Sequence, residues 1–456
     1  MQDARPGELE QKRLAIGSVL GYGQKADSDR GQDPKAGSAG KAVESLAVLG
    51  ILSIDAAARP NDGARMKSSM VKIFFAVLLG CASLAPRSVL ADEANANIEK
   101  IVAQSIRPLM AQFAIPGMSV GIVVDAHSYV FNFGVASKAT QRPIANDTLF
   151  EIGSVSKTFT ATLACYVQNK GHLSLTDPTS KYLPELSGSE FGKVSLINLG
   201  THTTGGLPLQ VPDEVTNDDQ LMKFFQNWKP TYAPGTYRTY ANPSIGLLGL
   251  ITAKSMNEDF EQLMERTLFL GLGLSHTYYE IPEAQAQNYA QGYTKEDKPI
   301  RMAPGELASE AYGIRTTTTD LLRFLKANMQ MIDIAADLKQ AILQTHVGYY
   351  QLGAMTQDLI WEQYQYPVDL ADLLEGNSAK VSYEANPVSQ FEPASAPRSQ
   401  VFLNKTGSTN GFGAYVAFVP AKHMGIVLLA NKYYPNDARV RAAYQILTQL
   451  GMSASR

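Results

Sequence analysis

Residues 401–430 read VFLNKTGSTNGFGAYVAFVPAKHMGIVLLA. Three runs rich in β-branched and aromatic residues, 401–406, 412–419 and 424–430, are parted by joints holding Gly407, Gly411, Gly413, Pro420 and Gly425. That pattern predicts three consecutive strands. Near the other end, 118–124 and 128–133 are also β-rich, with a short polar turn between them, and predict a hairpin. Strands from both ends of the chain predict one antiparallel sheet. Ile98, Ile101, Val102 and Ile106 recur at helical spacing and make one apolar stripe, with Pro108 and Pro116 ending or kinking the helix beyond it. A last helix is expected over 437–450, with Val440, Ala443, Tyr444 and Leu447 on one face and Gly451 as its stop. The middle of the chain reads as helix and loop. The expected fold class is therefore α+β: an antiparallel sheet from about 92–150 and 345–456, flanked by the terminal helices. A mostly helical lobe, about 151–344, is inserted between the two sets of strands.

The chain has 456 residues, 45% hydrophobic and 18% charged, ordinary values for a protein that buries a large core. A formal net charge of -3 leaves no footprint for nucleic acid. The six histidines (127, 172, 202, 276, 346 and 423) form no His-x-x-x-His pair, and the two cysteines no Cys-x-x-Cys. All six histidines read as structural or surface residues, with no metal and no cofactor expected.

Residues 1–65 do not read as a folded domain: 17–42 holds few large apolar side chains and cannot offset its ordering entropy. The apolar run 46–54 is too short to span a membrane. Residues 66–91 read as a signal peptide. Met66-Lys67 and Lys72 supply positive charge, 73–82 is apolar, and Val89-Leu90-Ala91 precedes Asp92-Glu93. The expectation is translation from Met66 or Met70, export to the periplasm, and 1–65 as an upstream extension of the reading frame. A competing reading takes Leu78-Leu79-Gly80-Cys81 as a lipobox with Cys81 lipidated. Cleavage after Ala91 leaves Cys165 as the single cysteine, so no intramolecular disulfide forms. It also leaves no segment for stable membrane insertion.

Three motifs carry chemistry. Phe150-Glu151-Ile152-Gly153-Ser154-Val155-Ser156-Lys157 holds a Ser-x-x-Lys. On a helix that spacing puts Ser154 and Lys157 on one face. A serine hydroxyl needs a neighbouring base, and an amine in a dry site can serve. The motif is short and arises often by chance, so it needs partners. Tyr237-Arg238-Thr239-Tyr240-Ala241-Asn242-Pro243-Ser244 follows Pro234-Gly235 and reads as a loop. Tyr240 offers a phenol and Asn242 an amide. An ordinary phenol is a weak base at neutral pH, but two nearby ammonium groups would make it a better one. Lys405-Thr406-Gly407 ends a predicted strand, and a glycine there leaves room for a substrate along the strand edge. Read singly, these are a loop aromatic and a strand ending in a polar turn.

Together and in this order they resemble the penicillin-recognising serine enzymes. The stretches 150–163, 231–249 and 404–420 resemble class C β-lactamases closely, and the resemblance covers nearly all of 95–450. It implies a monomeric periplasmic hydrolase acting on small-molecule β-lactams. Carried over residue by residue, it makes Ser154 the nucleophile, with Lys157 and Tyr240 sharing the proton work. The amides of Ser154 and Ser408 would form the oxyanion hole. Gln210 and Asn242 match positions that meet the substrate's amide side chain. Lys405, Thr406, Asn436 and Arg439 match the region receiving its carboxylate, and Tyr312 the aromatic rimming the pocket. The family commonly has Asn where this chain has Tyr433, so the carboxylate side is expected to differ. The residues taken alone leave Asn436 as a helix cap and Arg439 as a surface arginine. Two other activities share parts of the pattern. A D-alanyl-D-alanine peptidase or esterase shares Ser-x-x-Lys and Tyr-x-Asn, although such esterases usually lack Lys-Thr-Gly. A penicillin-binding sensor would acylate and then stall.

Overall fold

The computed structural model describes residues 85–124 and 127–453. The extension 1–65 and residues 66–84 of the predicted leader, Cys81 included, lie outside the described residues. The chain divides into units Met1–Asp92 and Glu93–Arg456, and the second holds the sheet and the lobe.

Nine strands form one sheet, numbered here in chain order. They are β1 (Gly117–Val124), β2 (His127–Gly134), β3 (Gly348–Leu352), β4 (Met355–Gln357), β5 (Glu362–Gln365), β6 (Ser389–Ser395), β7 (Val401–Ser408), β8 (Gly413–Val419) and β9 (Met424–Ala430). Their order across the sheet is β6-β3-β4-β5-β7-β8-β9-β1-β2, antiparallel throughout. The junction of the two chain ends is β9 against β1, with Met118 opposite Ala430. The α+β architecture is the one the sequence predicts.

Alternation along each strand sorts side chains to two faces. Met118, Val120 and Ile122 of β1, with Ile426 and Leu428 of β9, face the terminal helices α1 (Ala85–Phe113) and α6 (Asn436–Ser453). They pack there with Ile98, Ile101, Val102 and Ile106, all buried, and with Val440, Ala443 and Leu447. The opposite faces of the same strands meet the lobe. Its main helices are α2 (Ser156–Asn169), α3 (Asn242–Met256), α4 (Thr318–Asn328) and α5 (Ala336–Gln344). Gly121 lets α4 approach β1: a Cβ there would lie 2.7 Å from Leu322 and from Thr318. The α2 helix is buried from Ser156 to Cys165, and Phe159 stacks on Phe324 of α4 at 4.0 Å between ring centroids. Truncating such a phenylalanine costs about 3–5 kcal/mol, so α2 is a rigid platform for whatever its N-terminus holds.

Several expectations are corrected. The first helix runs through Pro108 and stops at Phe113, before Pro116. The last helix continues past Gly451 to Ser453, because Gly451 does not adopt the left-handed backbone that would cap it. Strands β3 to β6 have no counterpart among the expected strands. They are short or polar (Glu-Gln-Tyr-Gln in β5, Ser-Gln-Phe-Glu-Pro-Ala-Ser in β6), so no apolar alternation marks them. β6 tolerates Pro393 because it is an edge strand.

Candidate active site

Ser154 lies in a 3-10 turn, Gly153–Val155, that leads into α2. In a 3-10 turn residues i and i+3 eclipse, which brings Lys157 directly beside the serine. The Lys157 Nζ donates to Ser154 Oγ at 2.9 Å and to the Ala311 carbonyl at 2.8 Å. The turn is clamped from the lobe: Ile152 N–H donates to Ile314 O, and Ile314 N–H donates to Ser156 Oγ.

Two glycines join this turn to the sheet. Gly153 has φ +50, and a Cβ on it would fall 2.4–2.6 Å from the Ser408 backbone. A Cβ on Gly407 would fall 2.0 Å from Ile152 O and 2.9 Å from Val155 N. Gly407 is therefore needed for the approach of the nucleophile turn. The sequence pattern assigns it to substrate space along the strand edge, and the structure corrects that reason. The consequence is that the backbones of Ser154 and Ser408 meet at one seam.

The third motif reaches the seam from the lobe. Tyr237–Arg238 forms a short strand paired with Asn386–Pro387, and Asn242 opens α3, so the predicted loop shrinks to the link between them. Tyr240 sits on that link, between two ammonium groups. The Nζ atoms of Lys157 and Lys405 lie 5.4 and 5.1 Å from its ring centroid. The Arg238 guanidinium is 5.5 Å from the same centroid. Burial alone would raise the phenol's pKa, but Lys157 and Lys405 overcome it and lower it to about 8. The Ser154 hydroxyl adds to that lowering. Lys157 is lowered to about 8 as well, first by burial and then by Lys405, with Tyr240 opposing. Serine, amine and phenol thus form one coupled group poised to exchange a proton near neutral pH.

Around this group the remaining residues fall into place. Asn242 Nδ2 donates to Gln210 Oε1 at 2.8 Å, while the Asn242 carbonyl oxygen is buried without a partner among the described residues. Gln210 is exposed and Tyr312 half-buried, the latter just after the Ala311 carbonyl that holds Lys157. Thr406 and Ser408 are half-buried at the end of β7, and Asn436 is half-buried at the start of α6. Lys405 is buried and its Nζ donates to Thr406 O at 2.9 Å. Arg439 is fully buried, not a surface arginine. Its guanidinium donates to Gly407 O, Ser408 Oγ, Ala414 O and Tyr434 O. It braces the Lys-Thr-Gly strand end from behind. Tyr433 is half-buried, with Lys295 Nζ 4.7 Å from its ring centroid.

The motifs do not announce the floor of the site. Arg238 donates to Gln357 Oε1 at 2.6 Å, to Val381 O at 2.9 Å and to Glu362 Oε1 at 3.1 Å, all buried. It ties the Tyr240 link to β4, β5 and the segment after them. Arg238 stands two residues before Tyr240 in the motif, but no spacing points to Glu362 or Gln357. Among the described residues, no group of three His, Cys, Asp or Glu side chains is placed to hold a metal ion.

A nine-stranded sheet with an inserted helical lobe, and Ser-x-x-Lys, Tyr-x-Asn and Lys-Thr-Gly at one seam, defines a penicillin-recognising serine enzyme. The family model described as Beta-lactamase matches residues 102–450. The chain is 50% identical over 354 residues to a β-lactamase of Pseudomonas fluorescens, covering 78% of this chain and 99% of that protein. It is 50% identical over 379 residues to a β-lactamase of Lysobacter lactamgenus, covering 83% and 97%. A solved class C β-lactamase in complex with cefoxitin is 48% identical with a TM-score of 0.76, over 78% of this chain and 99% of that one. A solved D-alanine carboxypeptidase AmpC from Burkholderia cenocepacia is 54% identical with a TM-score of 0.75, over 77% and 99%. The chain belongs to the β-lactamase family.

Proposed function

We propose that the protein is a class C serine β-lactamase that opens cephalosporins and penicillins through an acyl-enzyme on Ser154. The observation that carries this reading is the Ser154–Lys157–Tyr240 group, with Lys405 as a second cation beside the phenol. Ser154 Oγ attacks the lactam carbonyl carbon, and its proton passes to the phenolate of Tyr240 or the amine of Lys157. The Ser154 and Ser408 amides take the developing oxyanion, each donor contributing about 3 kcal/mol. The C–N bond breaks, and the ring nitrogen receives the proton from Tyr240. A water then attacks the ester with Tyr240 as base, the Ser154 oxygen leaves with the proton, and the open acid departs. Asn242 and Gln210 receive the substrate's amide side chain. Lys405, Thr406 and Asn436 receive its carboxylate, with Tyr312 on the rim. Arg439 supports that side by holding Ser408. The enzyme acts as a monomer in the periplasm, after removal of the leader.

A second reading has a specific finding behind it. Solved neighbours at 54% and 48% identity are described as D-alanine carboxypeptidase and as β-lactamase/D-alanine carboxypeptidase. The same serine can attack a terminal D-alanyl-D-alanine peptide bond, since both substrates present an acyl group beside a carboxylate. Steady-state assays with a chromogenic cephalosporin, a penicillin and a D-alanyl-D-alanine peptide separate these readings. Many equivalents of both lactams hydrolysed per protein, abolished in Ser154→Ala, support the β-lactamase. One burst equal to the protein concentration supports a sensor, and turnover of the peptide alone supports the peptidase.

A further inference from the structure

His202 lies directly against Tyr240. The two ring centroids are 4.4 Å apart with the planes inclined by 43°. The histidine is 1% exposed and has a left-handed backbone, φ +59. Its own carbonyl accepts from Thr239 N–H at 2.8 Å, and its Nδ1 accepts from Ala241 N–H at 3.3 Å. The residues on either side of Tyr240 are therefore both held by His202, and the ring face of Tyr240 is held as well. An accepting Nδ1 places the ring proton on Nε2. That nitrogen is buried and has no partner among the described residues.

The geometry points to His202 as a positioning residue for Tyr240, working as a neutral imidazole. It fixes the Tyr240 link through two backbone contacts and covers one ring face against water. This rests on the reading of Tyr240 as the proton carrier. Three cations face the imidazole: Arg238 from the Tyr240 link, Lys157 from α2 and Lys405 from β7. Burial first, and then these three, hold its pKa well below the ordinary histidine value, with the Ala241 amide opposing. Tyr240 is faced by Lys157, Lys405 and Ser154, and by Glu362 of β5, which opposes the lowering. The covered face matters because the two ammonium groups act on the phenol most strongly through a dry medium. Opening that face to water would screen them, and the phenol would move back up toward its ordinary value.

Two variants separate the two contacts. His202→Asn keeps an acceptor for Ala241 N–H and tolerates the left-handed backbone, but removes the ring. His202→Phe keeps a ring and removes the acceptor. Single-turnover acylation by a chromogenic cephalosporin is followed from pH 5 to 10 in each. In His202→Asn, acylation is expected to fall by about ten-fold or more at neutral pH, with substrate affinity little changed. The rising limb of its pH profile is expected to move up by about half a unit or more. In His202→Phe the limb is expected to stay and the rate to fall. An unmoved limb in His202→Asn, or a loss confined to substrate affinity, would overturn the positioning role. Nitrogen NMR of histidine-labelled wild-type protein gives an arm independent of activity and of variant folding. A neutral Nε2–H form of His202 from pH 5 to 9 is expected, and an imidazolium at pH 6 would overturn the proposal even if the protein hydrolyses lactams. Wild-type protein that hydrolyses no lactam, with His202 neutral, would instead count against the functional reading alone.

Discussion

Two buried phenols sit on opposite sides of the short helix Ala308–Ala311. Tyr240 and Tyr279 are both without a hydrogen-bond partner among the described residues. Tyr240 is lowered to about 8, whereas Tyr279 is raised well above the ordinary value. Burial acts upward on both. The neighbours decide the difference: Lys157 and Lys405 at Tyr240, against Glu310, Glu261, Glu265 and Asp259 at Tyr279. The same helix serves both regions. Its Ala311 carbonyl accepts from Lys157 on the cationic side, and its Glu310 side chain lies on the acidic side. A buried tyrosine is thus a base or an inert packing group according to the charges around it.

The contrast is most directly broken by removing each hydroxyl. Tyr240→Phe is expected to lower the hydrolysis rate by roughly 10²–10⁴, and Tyr279→Phe to leave it within a few-fold in the same steady-state assay. Equal losses would mean that the charge environment does not select the proton carrier. The cationic side also depends on its floor. The Arg238–Glu362 pair, 2% and 6% exposed, holds the Tyr240 link to β5. Glu362→Leu leaves a buried guanidinium without its carboxylate and is expected to cost about 3–5 kcal/mol in denaturant unfolding. A loss under about 1 kcal/mol would mean that the link is held by its other contacts.

The acidic side predicts a pH-dependent stability. Burial, with Glu261, Asp259 and Glu306 adding to it, raises the Glu310 carboxyl from 4.5 to about 7. The folded state therefore holds this proton more tightly than the unfolded chain does. The associated stability is fully present below pH 4.5 and is lost as pH rises through about 7. The loss is about 3 kcal/mol in order of magnitude. Glu310→Gln should remove that slope between pH 5 and 8 in urea titrations, and an unchanged slope would place the dependence elsewhere. The smallest effect concerns the profile of activity. With Tyr240 near 8, kcat/KM should rise with pH toward about 8 and then level. Lys405→Ala removes one of the two cations lowering the phenol and should shift that limb upward by about one unit. A downward shift would contradict the assigned role.

Local features of the chain are readable and long-range ones are not. Ser154 and Lys157 need only three residues of spacing, and the Lys405-Thr406-Gly407 strand end is marked by its β-rich run. The hairpin at 117–134 and the strands at 401–430 are apolar on both faces or alternate, so their period shows. β3 to β6 carry too many Gln, Tyr and Glu for that. Glu362 and His202 matter only because the fold brings them to Tyr240, and nothing near them in the chain signals it. Gly407 stands out in the sequence, but the reason for it does not, since the backbone it admits, residues 152–155, lies some 250 positions away. Arg439 likewise reads as a surface residue until the strand end it supports is in view.

The central claim is that Ser154 is acylated and then released. Quench-flow mass spectrometry of the purified protein with a cephalosporin tests it most directly. The expected result is a transient adduct confined to the peptide containing Ser154, rising and decaying while many equivalents of substrate are consumed, and missing in Ser154→Ala. Substrate consumed with no adduct at Ser154, or an adduct there that never decays, would contradict it.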